Sequence, residues 1–325
     1  MNKRQKLVQE TFLNNEKIVI KRLKKVYDKA LDDIISKSKE LQAEIDGLDR
    51  MLKLDIWNDD DKEKLQSMKQ SKIYQKQYQD ALKKQVGSIL DDMQVEEFKT
   101  VDAYLRQCYE DAFVGTMYDL QGQDIPLIFP IDQVAMVRAV QIDSKIKQGL
   151  YERLGEDIAL LKRKITAQVS RGISTSMSYG QMAKQLEGYT KIGFNNAVRI
   201  TRTEGHRIQI QSAMDACYKA KDAGADVVKQ WDATLDGDTR PSHQKVDGEI
   251  RELDEPFSND LMFPGDPDGG AAEVVNCRCA LLQRAKWALD EEELQTLKER
   301  AAYYELDKTE NFEDFKKKYL KAIEN

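Results

Sequence analysis

The chain has 325 residues, of which 33% are charged and 41% hydrophobic, with a formal net charge of −6. That balance is too apolar for a disordered chain and too charged for a membrane protein, and the length leaves room for two domains of ordinary size. No run approaches the roughly 18 apolar residues of a spanning helix. The opening MNKRQKLVQETF lacks the apolar core of a secretory signal, which predicts a cytosolic product with reduced thiols.

Local charge departs from the average at the start. Residues 1–30 carry nine Lys or Arg against three acids. Lys17, Lys21, Arg22, Lys24 and Lys25 are therefore candidates to meet phosphate or an acidic surface, although a solvated helix face gives the same pattern. Over residues 5–55, Leu7, Phe12, Val19, Leu23, Val26, Tyr27, Ala30, Ile34 and Ile35 recur mostly three, four or seven apart, one apolar stripe on a long helix. Gly47 and the acids at 59–61 are expected to interrupt it. A second helix is predicted over 62–93, pairing with the first as a hairpin, and a third over 96–120. The stretch QGQDIPLIFP at 121–130 breaks the pattern, with Gly122 as a C-cap.

Asp132 is expected to cap a short helix reaching Val140, and Asp143 or Ser144 another that ends at Gly172. Ser178 starts a short helix closed by Gly188, and 195–223 form a further one that stops at Gly224. Cys108 and Cys217 fall in helical patterns and read as small buried side chains. The period then changes: 226–232, 249–253 and 277–282 alternate like strands. Helices return at 290–304 and in a final segment capped by Thr309 or Asn311. The fold class is mainly α with a small α+β module: an elongated helical N-terminal body (1–122), a helical connector (123–174), a compact module with short antiparallel strands (175–285) and a helical tail (286–325).

Residues 231–279 stand apart from the rest. They hold one of two histidines, two of four cysteines, four of six prolines and a run of Asp and Gly. Three chemistries fit parts of this stretch. Cys277 and Cys279 in a strand place both sulfurs on one face and, with His243, make three zinc-type ligands; a fourth would come from an Asp, Glu273 or water. The alternative is a packed loop with two thiols in a small core. Calcium is disfavoured, because Asp232, Asp236 and Asp238 do not follow an EF-hand ladder, and Asp-Gly-Asp at 236–238 reads as a tight turn. Catalysis by His243 with a cysteine or the Asp cluster, as in a nuclease or toxin-like enzyme, has no nucleophile elbow, phosphate loop or zinc-protease helix around it. Upstream, Arg202 and Glu204 either pair locally with His206 and Arg207 or face inward and anchor their helix to the module.

In order, these pieces are Arg202-Thr-Glu204, Trp231, Asp238-Thr-Arg240-Pro-Ser-His243, Asp247-Gly248, Phe263-Pro264-Gly265-Asp266 and Asn276-Cys277-Arg278-Cys279. Together, over about 170–285, they resemble the phage head-morphogenesis family, the Mu F-like minor capsid proteins. The resemblance implies a non-enzymatic minor head protein without a cofactor, acting in head assembly or genome delivery. It implies the portal protein as partner, with packaged double-stranded DNA, the major capsid protein or a scaffolding protein as further ones. It also implies several copies per virion, inside the head near the portal, after assembly in the host cytoplasm. Relatives carry Cys-x-x-Cys where Arg240 and His243 stand here, and a His near Val274 or Val275, so a metal site of that family would be depleted in this chain. The alternatives to this reading are the enzyme above and a DNA-binding accessory protein that uses the basic N-terminal helix.

Overall fold

A computed structural model of the chain describes residues 1–54, 58–70, 72–141, 150–174, 179–286, 295, 298–299, 301–309 and 311–324. The helices are α1 (Lys3–Leu52), α2 (Asp59–Gln70), α3 (Lys72–Gln121), α4 (Gln133–Gln141), α5 (Leu150–Ser174) and α6 (Tyr179–Asp222). Then come β1 (Asp226–Asp232), α7 (Pro241–Lys245), β2 (Ile250–Glu252), α8 (Ala271–Val274), β3 (Ala280–Lys286), a 3-10 turn (Leu306–Lys308) and α9 (Phe312–Glu324). Among the described residues the fold is mainly helical with one three-stranded antiparallel sheet, in the order β2-β1-β3. Among the described residues no helix is long and apolar enough to cross a membrane.

Several expected breaks are absent. α1 runs through Gly47, and one helix, α3, covers most of the 62–93 and all of the 96–120 predictions. The reason lies in the buried stripe. Positions 86, 90, 93, 97, 101 and 104 of α3 are all buried, three or four apart, but one of them is Glu97. A buried acid reads as a gap in an apolar pattern. α6 likewise absorbs Gly188, because 182, 186, 190, 193, 197 and 200 make one continuous inner face that includes Thr190 and Gly193. A glycine inside a helix costs only about 1 kcal/mol, and packing of this kind outweighs it. α5 passes Gly172 to end at Ser174. Asp143, Ser144 and Ser178 lie outside the described residues, as does most of 290–304.

The expected stops and caps at other positions are present. Asp132 Oδ1 accepts the N–H groups of Val134 and Ala135 at the start of α4 (2.9 and 3.1 Å). Asn311 caps α9 through the N–H of Asp314 (2.9 Å), while Thr309 bonds back to Leu306. α6 ends at Gly224, whose φ of 93° is open to glycine. The N–H of Gly224 reaches Lys221 O and that of Ala225 reaches Ala220 O, a Schellman motif.

The described residues group into two units that cut across the sequence: 1–20, 101–151 and 199–325 form one, and 21–100 with 152–198 the other. The second unit is a set of five helical segments, from α1, α2, α3, α5 and α6. Leu23, Tyr27 and Ile34 of α1, Val86, Leu90 and Met93 of α3, Leu154, Ile158, Leu161 and Ile165 of α5, and Met182 and Leu186 of α6 supply its core. Tyr27 donates to Glu97 (3.0 Å) and sets its ring edge against Phe194 (5.8 Å between centroids). Asn196 donates to Asp157 (3.2 Å).

In the first unit, Gln5 of α1 donates to Asp119 (2.8 Å) and Ser212 of α6 to the carbonyl of Tyr109 (2.6 Å). Tyr319 of α9 bonds both backbone groups of Phe129, and Lys316 pairs with Glu110 and Asp111. The sheet belongs to this unit. β1 pairs along its whole length with β3, from Asp226↔Lys286 to Asp232↔Ala280, and with β2 over Val228↔Glu252 to Gln230↔Ile250. As the central strand it is buried on both faces at 227–229, including Lys229, whose Nζ donates to Leu253 O (2.9 Å).

Glu97 gives a pH test of the second unit. Burial pushes its carboxyl from 4.5 up to about 8, partly offset by the Tyr27 hydrogen bond. The folded chain then keeps a proton that the unfolded chain releases, so this group's contribution to stability is full below pH 4.5 and is lost as pH rises to about 8. Thermal melts from pH 4 to 9 are expected to show Glu97→Gln with a flatter profile than the parent and a higher Tm at the alkaline end.

Candidate functional site

The stretch that set itself apart in the sequence folds into a closed knot around Trp231 and His243. Trp231, at the end of β1, is fully buried. Phe257 meets it edge to face at 5.2 Å between centroids and His243 at 5.1 Å. Its backbone is clamped as well: Trp231 N donates to Glu249 O (3.0 Å), and Gly248 N to Trp231 O (2.9 Å). Gly248 has a φ of 76°, so the turn from α7 into β2 needs a residue free of a Cβ. Asp247 Oδ1 accepts the N–H of Ala233 (2.8 Å).

The Asp-Gly-Asp segment is a turn built on Asp236. Its carboxylate accepts the N–H of Asp238 (3.1 Å) and the hydroxyl of Thr239 (3.1 Å), and pairs with Arg278 (2.6 Å). Asp238 itself is 94% exposed and 3.8 Å from Arg278. The turn delivers Arg240 and Pro241, the latter in the first turn of α7, where its missing N–H costs nothing. Arg240 donates to the carbonyls of Ala272 and Val275 (2.6 Å for the latter), bracing the loop that carries the cysteines.

His243, 1% exposed, projects from α7. Its Nδ1 lies 3.7 Å from Cys277 Sγ and 3.4 Å from Cys279 Sγ. Its Nε2 lies 2.9 Å from Glu273 Oε2, off the line of a hydrogen bond, and the same oxygen accepts from Ser242 (2.8 Å). Cys277 and Cys279 are not in β3, which begins at Ala280; they sit in the extended run before it and still point the same way. Asn276 turns the chain there with a φ of 55°, a conformation Asn tolerates better than most residues. A hydrogen bond from Cys277 holds the Cys279 thiol well below its ordinary range and Cys277 above it, burial adding to the latter.

α6 backs this knot, though not through the residues expected. Arg202 is half-exposed and pairs with Glu16 (2.9 Å). Glu204 turns inward but meets Arg207 (2.9 Å), both side chains fully buried, and Arg207 donates to Ala139 O at the end of α4 (2.7 Å). The bonds to the module come from Thr203, whose hydroxyl accepts the N–H of Asn276 (3.3 Å), and from His206, whose Nε2 donates to Cys279 O (2.7 Å). Burial lowers the pKa of His206, favouring the neutral ring this bond uses. Pro264 is buried, and Gly265 beside it has a φ of 79° and lies against His206, where a Cβ would come within 3.0 Å of the ring. Asp266, also buried, closes its loop by accepting from Met262 and Asp268 (2.8 and 2.9 Å).

The basic candidates lie elsewhere, on α1. Lys17, Lys21, Arg22, Lys24 and Lys25 are exposed, and Lys24 pairs with Asp28 (2.6 Å). At 100° per residue, Lys17, Lys21 and Lys25 fall opposite the buried stripe of Val19, Leu23 and Tyr27, with Lys24 and Arg22 on the two flanks.

The buried pair predicts a clear asymmetry. Glu204→Ala leaves the Arg207 charge buried without its partner and is expected to cost about 3–5 kcal/mol in denaturant unfolding. Arg202→Ala removes a half-exposed pair and is expected to cost under about 1 kcal/mol.

Residues 163–282 match the family model for Phage Mu protein F like protein. Minor head protein GP7 of Bacillus phage SPP1 is 30% identical over 189 residues, 57% of this chain and 58% of that protein. The NAD(+)--arginine ADP-ribosyltransferase EFV of Enterococcus faecalis is 30% identical over 197 residues, 57% of this chain and 39% of that protein. The chain thus spans less than two thirds of either relative's length. No solved structure matches. Residues 163–282, just over a third of the chain, are thus similar to the Phage Mu protein F like family.

Proposed function

We propose that this chain is a phage minor head protein, a non-enzymatic component that acts in head assembly or genome delivery. The observation that carries the reading is the family match over residues 163–282 together with the likeness to a minor head protein. The knot supports it physically. His243 and both cysteines are buried, and their neighbours brace backbone, which suits a scaffold for neighbouring surfaces. A nuclease built on His243 and the Asp cluster would need an accessible base beside the acids; here His243 is 1% exposed while Asp238 faces solvent. The transferase likeness covers 39% of that protein and by itself assigns no activity to this chain.

The partners in this reading are the portal protein, with the major capsid or scaffolding protein as neighbours, and packaged double-stranded DNA. The protein would be present in several copies per virion, inside the head near the portal, after assembly in the host cytoplasm. DNA would be met by the exposed Lys17, Lys21, Lys24 and Lys25 of α1, together with Arg22, through phosphate contacts that carry no sequence information.

Two measurements test this. Co-expression with the portal protein of the same phage is expected to give a complex that survives size-exclusion chromatography; separate elution at micromolar concentration contradicts portal docking. Binding to duplex DNA is expected to weaken steeply with salt, and each Lys→Gln change on the outer face of α1 to lower the salt slope by about 1. Affinity that ignores salt, or the quadruple variant binding like the parent, contradicts DNA contact by α1.

A further inference from the structure

The sulfurs of Cys277 and Cys279 and the Nδ1 of His243 lie within 4.8 Å of one another, all on buried residues. Those atoms are the donors that a thiophilic divalent cation prefers. The spacing is also that of a filled site. Zinc bonds of about 2.3 Å to sulfur and 2.0–2.1 Å to nitrogen at a tetrahedral angle put S and N about 3.6 Å apart. The two S···N separations here are 3.7 and 3.4 Å.

Two further features fit. Glu273 sits on the far side of the imidazole, 2.9 Å from Nε2 though off the line of a hydrogen bond, and is itself fixed by Ser242 (2.8 Å). A metal-bound histidine characteristically gives its other N–H to a carboxylate, which fixes the tautomer and turns Nδ1 toward the ion. The donors also come from two stretches, α7 and the run before β3, that Arg240 and Glu273 already hold together. A cation at this point would be a third link between them.

We propose that this chain binds one zinc ion through His243 Nδ1, Cys277 Sγ and Cys279 Sγ, with Glu273 as a positioning residue, and that the ion fastens α7 to the start of β3. Both thiols bind as thiolates, releasing their protons to solvent, so that the ion and its two sulfurs are together neutral in a buried place. The described residues supply three donors; the fourth position goes to a small exogenous ligand such as water. This inference is independent of the role in the phage head, which would stand without it.

The test uses the full chain, reduced, stripped with chelator and titrated with Zn2+ or Co2+. Expected are one equivalent bound, a rise in Tm with Zn2+, and a sulfur-to-cobalt charge-transfer band in the near ultraviolet. Cys279→Ser is expected to weaken that band. His243→Cys keeps the stoichiometry, because it replaces one donor by another, whereas His243→Phe loses it. Should His243→Phe fail to fold by circular dichroism, Glu273→Gln decides, with an expected loss of roughly 10–100-fold in zinc affinity. Less than near-stoichiometric Zn2+, Co2+ uptake without the sulfur band, or unchanged affinity in Glu273→Gln overturns the proposal.

Discussion

The C-terminal module depends on a single buried imidazole. A sheet whose strands have seven, three and seven residues stands at the lower limit of size for stability by itself. It is held by what converges on His243: the Trp231 ring on one face, two sulfurs at Nδ1 and a carboxylate at Nε2. Those groups come from β1, α7, α8 and the run before β3, elements that span about fifty residues of irregular chain. The turns between them follow from the same requirement. Gly248, Gly265 and Asn276 occupy left-handed backbone because the chain must return to this point several times over a short distance.

Behind the knot, polar groups set position and apolar ones supply the burial. α6 presents Thr203 and His206 to the Asn-Cys-Arg-Cys run, each making one bond to backbone. One turn further, the fully buried Glu204 and Arg207 join α6 to the end of α4. A buried ion pair is weak evidence of stability, but it penalises every arrangement in which the two charges do not meet. The motif Arg-Thr-Glu-Gly-His-Arg therefore divides its work by helix face: Arg202 looks outward to Glu16, and the four polar side chains at 203, 204, 206 and 207 look inward.

Much of this could be seen in the sequence, and the failures have physical causes. The helical class, the exact span of β1, the stop at Gly224 and the caps at Asp132 and Asn311 follow from period and capping chemistry. The helix breaks assigned within 93–96 and at Gly188 did not materialise, because buried polar or small residues, Glu97 and Gly193 among them, continue the inner stripes that an apolar count interrupts. Trp231, Asp247, Gly248 and the two cysteines stood out by type and spacing. The Asp236 turn was readable as well, but Thr203 and His206 were not singled out, since their roles lie in bonds to distant backbone. His206 carried the one available signal, as the second of two histidines in the chain. The strand expected at 277–282 is displaced to 280–286, because the two cysteines are committed to the knot before the ladder begins.

In the proposed role the protein has to present fixed surfaces to its neighbours, and a knot that locks sheet, loop and helix into one body is a physical means to that end. The central claim is that residues 231–279 form a cooperative structural unit centred on His243. Amide hydrogen exchange of the parent and of His243→Ala tests it most directly. The account predicts that amides of β1, the Gly248 turn and β3 exchange as one slow set in the parent, and that His243→Ala releases all of them together. Protection of β1 and β3 that survives His243→Ala, with only α7 loosened, would contradict it.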